Sequence, residues 1–263
     1  MRLGCTYSFA VLFLALAAHS AAIGWGPEGH KVTALIAEKH LERNAKAAVK
    51  RILGSGGLAD VANIADEIRN ERAAPWHFVN IPVNAKTLDR ARFCLAGNCV
   101  VAAAERFRDE LKRPDGSPET QRKALYNLVH FVGDLHQPLH CADRHDRGGN
   151  DVKVRLGNRR SNLHRVWDSD IIEEQHPDFE SFARALDAAI TGEEIRAWSD
   201  GTPESWALES HRLAREVAYR FQLQPSGDVF LGQRYVRQSA SVIDLQLCRA
   251  GIRLAFVLNR IFQ

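Results

Sequence analysis

The sequence predicts an all-α fold, a mainly helical single domain with long loops and one small β-hairpin. Apolar residues recur at helical spacing in seven stretches, and prolines and glycines lie between these stretches. The chain has 263 residues and no internal repeat, which is enough for one sizeable hydrophobic core. We therefore expect one domain rather than two.

The helices are predicted in order along the chain. The first covers residues 30–53 and ends at Gly54. A later one covers residues 118–137, beginning after Ser117, a good N-cap, and ending before Pro138. The most apolar helix is the last, and we expect it to pass through the core. The other predicted helices and this last one cover residues 60–69, 99–112, 178–190, 203–222 and 239–262.

Two long loops interrupt the helical pattern. Residues 70–98 contain prolines, and residues 141–163 contain a pair of glycines. Within the second loop, the segment VKVRL at residues 152–156 alternates apolar and basic residues, which is typical of a strand. We expect this segment to form one arm of the hairpin.

Residues 1–24 have the pattern of a secretory signal peptide. The apolar run Phe9–Ala18 is too short to span a bilayer comfortably, and small residues follow it. Cleavage after Gly24 would make Trp25 the first residue of the mature chain; the alternatives are cleavage after Ala22 and an uncleaved anchor. No later stretch is long enough to span a membrane, so we expect a secreted or periplasmic protein without a membrane anchor.

The remaining domain, residues 25–263, is only weakly basic, because the whole chain has a formal charge of +3. This excludes a polybasic coat for nucleic acid. Four of the five cysteines lie in the domain, an even number that suits an exported protein. Cys94 and Cys99 flank a short loop, and we expect them to pair. Cys141 and Cys248 either form a second disulfide or remain buried free thiols.

Two His–Asp pairs have the spacing of metal ligands. His130 and Asp134 are four residues apart, and so are His164 and Asp168. On a helix, such pairs lie on one face and can hold one metal ion or two adjacent ions. His140 follows just beyond a helix-ending proline. Because the set contains no cysteine ligand, it indicates catalytic rather than structural metal binding.

Four further candidate ligands have less local support. Local sequence alone favours interpreting Asp66 as a charge near a helix N-terminus and His77 as a hydrogen-bonded core histidine. If cleavage frees Trp25, its α-amine and carbonyl oxygen can chelate a metal beside His30; otherwise Trp25 is a buried aromatic residue. Four other histidines have no histidine or aspartate at metal-ligand spacing and are interpreted as surface or loop residues. They are His40, His145, His176 and His211.

Taken together, these residues resemble the zinc-dependent class I nuclease family of the S1/P1 type. The resemblance covers nearly the whole mature chain, and its ordered series of motifs is highly specific. The motifs are WGPEGH at 25–30, ADEIR at 65–69, HFVN at 77–80, HFVGDLHQPLH at 130–140, DRGGND at 146–151 and LHRVWD at 163–168.

The resemblance implies a phospholipase C/nuclease-like helical fold with three zinc ions (Zn2+). One ion would be held by Asp66, His77, His130 and Asp134. The second would be held by Trp25, His30 and the bridging Asp134. The third would be held by His140, His164 and Asp168.

The resemblance also implies cleavage of single-stranded DNA and RNA to 5′-phosphate products, 3′-nucleotidase activity and action as a monomer. Asp66 is expected to orient the attacking water. Arg69 is expected to contact phosphate, although a solvated helix arginine is the alternative. Asn80 and Asn150 occupy positions that the family uses around a nucleobase, but some members have aspartate at the position of Asn80.

Two other functions fit parts of the pattern. A zinc phospholipase C would share the helical arrangement and the N-terminal tryptophan, and a non-catalytic zinc-binding or nucleic-acid-binding protein would share the ligands. The GGND loop and the Asp66–Arg69 element favour the nuclease. Hydrolysis of phosphatidylcholine would indicate the first alternative, and zinc binding without turnover would indicate the second.

Overall fold

The helices lie close to where the sequence predicts them. The computed structural model describes residues 25–222 and 229–263, so the predicted signal peptide lies outside the described residues. The α-helices are α1 (Pro27–Lys39), α2 (Arg43–Leu53), α3 (Leu58–Val61), α4 (Ile64–Glu67), α5 (Arg90–Phe93), α6 (Val100–Leu111), α7 (Pro118–Asp134), α8 (Leu163–Arg165), α9 (Ile171–Gln175), α10 (Phe179–Ala189), α11 (Gly192–Trp198), α12 (Pro203–Leu213) and α13 (Gln233–Ile261). Short 3-10 segments cover Ala74–His77, Leu95–Gly97 and Pro138–His140, and π-helical turns cover Val166–Asp170 and Ala214–Ala218.

A break separates α1 from α2, so the single helix predicted over residues 30–53 is wrong. Asn259 of α13 satisfies the backbone in the break: its Oδ1 accepts from the Glu42 amide at 2.8 Å, and its Nδ2 donates to the His40 carbonyl at 3.0 Å. These bonds come from the far end of the chain, so local periodicity carries no sign of them.

Helix α7 begins as predicted and ends earlier. The Ser117 hydroxyl accepts from the Thr120 amide at 3.2 Å, which confirms the N-cap. The helix ends at Asp134 rather than at residue 137. A proline four residues later explains this, because the ring of Pro138 has no N–H and would clash with the Asp134 carbonyl in a continued helix.

The other predictions differ mainly in their boundaries. Residues 99–112 and 178–190 correspond closely to α6 and α10. Residues 60–69 hold two single-turn helices, and residues 203–222 hold α12 followed by a π-helical turn. Helix α13 begins six residues before the predicted residue 239. Helices α5, α8, α9 and α11 were not predicted because each is too short to show a clear helical period.

A small sheet follows the metal-ligand motif of α7. Strands β1 (Lys153–Leu156) and β2 (Arg159–Asn162) are antiparallel, which confirms the predicted hairpin arm. Strand β3 (Val229–Leu231) pairs in parallel with β1 and was not predicted. The sheet order is β2-β1-β3. Three residues are too few to identify β3 by alternation.

Two hydrophobic clusters flank the candidate ligands. One contains Leu125, Leu128 and Phe131 of α7 with residues of α2, α6 and α13. The other contains Trp25 and Trp167 with residues of the sheet, α9 and α13. Helices α1 and α13 contribute to both clusters. Because ligands alternate with core residues along the chain, burial of the core fixes the ligands in place.

The four cysteines of the domain form one disulfide and leave two free thiols, which is one of the two alternatives that the sequence left open. Cys94 and Cys99 form the predicted disulfide. Cys141 and Cys248 are buried free thiols, so a second disulfide between them is excluded. In the part of the chain that the structure describes, no helix is both long and apolar enough to cross a membrane.

Candidate metal centre

Asp134 lies at the centre of the site. Its Oδ2 is 3.1 Å from His77 Nδ1 and 3.3 Å from His130 Nε2. Its Oδ1 is 3.5 Å from His30 Nε2 and 3.4 Å from His140 Nδ1. The side chain is fully buried. One carboxylate therefore contacts imidazoles from four different segments of the chain.

The first group of potential ligands comprises Asp66, His77 and His130. Asp66 Oδ1 lies 3.4 Å from His77 Nδ1 and 3.6 Å from His130 Nε2. Asp66 comes from α4, whereas His130 is on α7 one turn before Asp134. The Asp66 side chain is 12% exposed, whereas those of His77 and His130 are at most 1% exposed. Asp66 is thus the member of this group that faces solvent.

The second group comprises His30, His130 and Asp134. The His30 and His130 rings stack with their centres 3.9 Å apart. Gly133 makes this approach possible, because a Cβ there would lie 2.7 Å from His30 Nδ1 and 3.8 Å from Trp25 Cδ1. Trp25 is fully buried at this end of α1. The structure therefore places Trp25 beside His30.

The third group comprises His140, His164 and Asp168. His164 Nε2 lies 3.3 Å from Asp168 Oδ2 and 3.2 Å from His140 Nε2. The pair on α8 and its π-helical turn keeps the i, i+4 geometry expected from the sequence. Gln137 donates from Nε2 to Asp168 Oδ1 and thereby fixes the carboxylate.

Backbone carbonyls orient three of the imidazoles. His130 Nδ1 contacts the Ala62 carbonyl at 2.8 Å, His140 Nδ1 contacts the His77 carbonyl at 2.6 Å, and His164 Nδ1 contacts the Gly148 carbonyl at 2.6 Å. In each ring the Nδ1–H donates, so Nε2 is the nitrogen left to face a metal, and it carries a free lone pair whenever the ring is neutral. Such outer bonds fix the ring and raise its strength as a metal ligand.

Burial controls the protonation of the histidines. It lowers the pKa of His140 to about 3 and that of His164 to about 4, and it lowers the pKa of His30 and His77 as well. Burial would also lower the pKa of His130, but the Asp134 and Asp66 carboxylates raise it to about 9. Most of the imidazoles are therefore neutral and able to bind a metal.

Buried nitrogen and oxygen atoms that have no hydrogen-bond partner also indicate that the groups bind divalent metal ions. Both ring nitrogens of His30, together with Asp66 Oδ1 and Asp134 Oδ1, are buried without a hydrogen-bond partner among the described atoms. A buried polar atom without a partner costs about 1–3 kcal/mol. Nitrogen and carboxylate donors without thiolate suit zinc at catalytic sites. The described residues thus form three candidate metal-binding His/Asp groups joined through Asp134 and His130.

Comparison with known proteins agrees with this arrangement. The family model for S1/P1 nucleases matches residues 25–263. The chain belongs to the S1/P1 nuclease family. Among its relatives, it is 33% identical to Endonuclease 4 of Arabidopsis thaliana, over 92% of this chain and 90% of that protein. It is 32% identical to Endonuclease 2 of the same plant, over 91% of each, and 31% identical to Nuclease P1 of Penicillium citrinum, over 90% of this chain and 97% of that protein.

In this S1/P1 nuclease the predicted phosphate-contacting arginine lies next to the metal groups. Arg69 follows Asp66 at the end of α4, and its Nη2 donates to the Ala74 carbonyl at 3.4 Å. Its charge reaches the third group, where it contributes to lowering the pKa of His164 after burial. The structure therefore brings Arg69 within electrostatic range of the third group.

The two predicted base-contacting asparagines lie on separate loops. Asn80 is exposed and follows Val79, whose amide donates to the His140 carbonyl at 2.7 Å. Asn150 is partly exposed, and its Nδ2 donates to the Arg147 carbonyl at 2.8 Å. The amide nitrogen of Asn150 thus serves a local turn in this structure.

The glycine loop of this nuclease is shaped by carboxylates that the sequence analysis missed. Asp143 Oδ1 accepts from the Gly148 amide at 3.1 Å, and Asp146 Oδ1 accepts from the Gly149 amide at 2.9 Å. Tyr219 donates its hydroxyl to Asp146 Oδ1 at 2.8 Å. Asp143 and Asp146 lie just before the GGN motif in the sequence, and this proximity indicates that they could bind the amides of the loop. Tyr219 lies 73 residues away from Asp146, and nothing in its local sequence indicates the contact.

Two histidines behave differently from the prediction or were overlooked. His211 is buried rather than on the surface, since its Nε2 donates to the Pro82 carbonyl at 2.9 Å; its interpretation as a surface residue is wrong. His136, two residues after Asp134, is fully buried and was not considered. Its Nδ1 contacts the Val132 carbonyl at 2.7 Å, and its Nε2 contacts Arg253 Nη1 at 2.9 Å. The position of His136 inside the motif HFVGDLHQPLH is the sequence feature that indicates its importance.

Proposed function

We propose that the chain is an exported, monomeric endonuclease that uses three zinc ions to hydrolyse phosphodiester bonds of single-stranded DNA and RNA. Its products would carry 5′-phosphates, and it would also remove phosphate from 3′-nucleotides. The observation that carries this proposal is the fully buried Asp134 carboxylate, which contacts His30, His77, His130 and His140 within 3.5 Å. Membership in a nuclease family supports the choice of nucleic acid as substrate.

The three groups support an assignment of ligands to three ions. Asp66, His77, His130 and Asp134 would hold one ion, and His140, His164 and Asp168 would hold another. The Trp25 α-amine and carbonyl, with His30 and Asp134, would hold the remaining ion. Zinc, when bound, lowers the pKa of water, polarises phosphoryl oxygens and offsets charge on the leaving oxygen.

The protein's own groups would position the reactants. Asp66 is the most exposed ligand of its group. One oxygen of its carboxylate can therefore bind the metal while the other orients the attacking water. Arg69, one turn further on, can donate two N–H groups to the phosphate in a planar fork. This fork would fix the phosphorus in line with the water.

Single-strand preference follows from the accessibility of bases. Unpaired bases expose their faces and edges, whereas a duplex hides them. Asn80 is exposed three residues after His77, and Asn150 directly follows the Gly148–Gly149 pair, which supports a role for both in contacting an unpaired base. The family match favours this activity over phospholipase C, which the sequence alone left as an alternative.

Export rests on the predicted signal peptide. Cleavage after Gly24 would free the Trp25 amine, and Trp25 is buried beside His30. The family model begins at the same residue. Both observations support a mature chain that starts at Trp25.

The test is cleavage of single-stranded and double-stranded DNA by the purified mature protein, before and after chelation and after zinc is restored. We expect fast cleavage of the single strand, loss of activity on chelation and recovery with zinc. Metal content measured in the same samples should follow the activity. A correctly processed, zinc-loaded protein that cleaves neither substrate would contradict the proposal, and hydrolysis of phosphatidylcholine would favour phospholipase C.

A further inference from the structure

Two arginines and a tryptophan form a surface beside the metal centre. Trp76 directly precedes the candidate ligand His77 in the 3-10 segment Ala74–His77. The guanidinium carbon of Arg106, on α6, lies 4.1 Å from the centre of the Trp76 ring. Arg72 lies close enough to Arg106 for their charges to interact. We call Arg72, Trp76 and Arg106 the cationic rim.

The Trp76 indole is held in place on several sides. Its Nε1 donates to Asn98 Oδ1 at 2.8 Å, and Asn98 lies within the loop closed by the Cys94–Cys99 disulfide. Phe107 meets the indole edge to face, with ring centres 6.1 Å apart. A fixed aromatic face under a guanidinium orients its planar N–H edges. Arg106 therefore stands on a rigid support.

The charge of the rim is not neutralised by ion pairing. Arg72 and Arg106 are both exposed, and neither has a carboxylate oxygen within 4.0 Å among the described residues. Burial lowers the pKa of Arg106, the more distant Glu110 opposes this, and the like charge of Arg72 adds to it. By contrast, Arg108 on the same helix donates to both oxygens of Asp109 at 2.8 and 3.0 Å.

A third arginine, Arg69, lies between the metal centre and the rim along the chain. Arg69 reaches His164 electrostatically, and its Nη2 donates to the carbonyl of Ala74, two residues before Trp76. Arg69 therefore adds a cation between the third metal group and the segment that carries Trp76. A chain of phosphates is the ligand whose repeating charge suits several separate arginines.

We propose that Arg72, Trp76 and Arg106 form a subsite for the phosphate backbone of single-stranded nucleic acid, away from the scissile phosphate. Arg106, supported by Trp76, and Arg72 would each contact a backbone phosphate. The subsite would lower KM for strands long enough to reach it and leave short substrates unaffected. This inference rests on the proposed nuclease function.

The test compares a 20-nucleotide oligothymidylate with thymidylyl-thymidine, using the zinc-loaded protein and its Arg72→Gln/Arg106→Gln variant. We expect KM for the 20-mer to rise about tenfold at moderate salt, and the plot of log(kcat/KM) against log salt to become less steep by about 1.4, since each contact with a single strand contributes about 0.7. The dinucleotide should show unchanged kcat/KM. Arg106→Lys should keep most of the salt dependence, because it keeps the charge.

Arg108→Gln is the matched control, since it removes an arginine of the same helix that is already paired with Asp109. It should leave both substrates unchanged. Equal losses on the 20-mer and the dinucleotide, or an unchanged salt slope in the double variant, would overturn the subsite. If the wild-type protein cleaves neither substrate, the proposed nuclease function itself fails, and the subsite fails with it.

Discussion

Arg253 Nη1 lies 2.9 Å from His136 Nε2, which joins the last helix to the segment between two candidate metal ligands. That segment begins after Asp134 and ends at His140. Two other side chains hold it: Ser210 Oγ donates to the Leu135 carbonyl at 2.6 Å, and Gln246 Nε2 donates to the His136 carbonyl at 3.0 Å. The spacing between the central carboxylate and the third metal group therefore depends on α12 and α13.

Replacing Arg253 should weaken both the fold and metal retention. Arg253 is nearly buried and donates two hydrogen bonds to Glu209, at 2.7 and 3.0 Å. In Arg253→Met, His136 and Glu209 lose their partner, and we expect unfolding to become easier by about 2 kcal/mol, because Glu209 is partly exposed and water can replace part of the pair. We also expect zinc affinity to fall about tenfold, the size of effect known for hydrogen bonds that position ligands, because the segment between Asp134 and His140 would be held less firmly.

The measurements for Arg253→Met are urea unfolding and zinc competition with a chelator. Arg212→Met is the control, because it removes an exposed i, i+4 pair with Glu216 on the neighbouring helix. The control should change the unfolding free energy by less than about 0.5 kcal/mol. Equal effects of the two substitutions on zinc affinity would contradict the role of the buried contact.

Gly148 should not tolerate a side chain. Its φ is +62°, and an added Cβ would lie 2.5 Å from the Leu139 carbonyl oxygen. Its own carbonyl accepts from His164 Nδ1, so any shift of this backbone moves a candidate ligand. We expect Gly148→Ala to cost about 2–3 kcal/mol of stability, through strain at positive φ and the steric clash.

Gly157 gives a control for the strain alone. It also has positive φ, at +56°, but an added Cβ meets nothing within 4 Å. Gly157→Ala should cost only about 1 kcal/mol and keep the zinc content of the wild type. Thermal unfolding and elemental analysis of both variants test this, and a normal zinc content in Gly148→Ala would show that the loop does not position His164.

Asp244 should make the protein less stable as pH rises. Burial raises the pKa of Asp244 from its usual value to about 6, so the folded state binds its proton more tightly than the unfolded state does. Its ionisation then costs stability, and this cost grows between about pH 4 and pH 6 and remains above pH 6. Asp244→Asn should therefore be more stable than the wild type at pH 8, by about 1 kcal/mol, because solvent screens a partly exposed carboxylate.

The measurement for Asp244→Asn is urea unfolding at pH 8 and at pH 4. At pH 4 both folded proteins carry a neutral side chain at this position, so the two should differ little. Asp178 behaves in the opposite way: hydrogen bonds from Ser181 lower its pKa, so its contribution is lost as pH falls. A stabilisation by Asp244→Asn that is larger at pH 4 than at pH 8 would contradict the argument.

The sequence predicts the candidate metal ligands better than the helix boundaries, because the ligands are recognised by their spacing along the chain. The pairs His130–Asp134 and His164–Asp168 lie one helical turn apart whichever helix type forms, so the α8 helix and its π-helical turn did not need to be predicted. The break between α1 and α2 could not be predicted, because the backbone amide of Glu42 in the break is hydrogen-bonded by Asn259, 217 residues later in the chain. The contact of His136 with Arg253 crosses 117 residues and likewise leaves no local pattern.

The N-terminus of the mature chain should be part of the metal site. Trp25 is fully buried, and its neighbour Gly26 donates its amide to the Asp168 carbonyl at 2.8 Å, so the backbone at Trp25 lies beside a candidate ligand. A variant that keeps one extra alanine before Trp25 would convert the free amine into an amide, which is a poor metal ligand. We expect it to bind one zinc ion fewer and to lose at least about 99% of its activity, because the proposed function uses all three ions. Mass spectrometry of the N-terminus and zinc analysis test this, with Glu28→Gln, at a half-buried position in the first turn of α1, as the control. Full zinc loading of the extended protein would exclude the α-amine as a ligand.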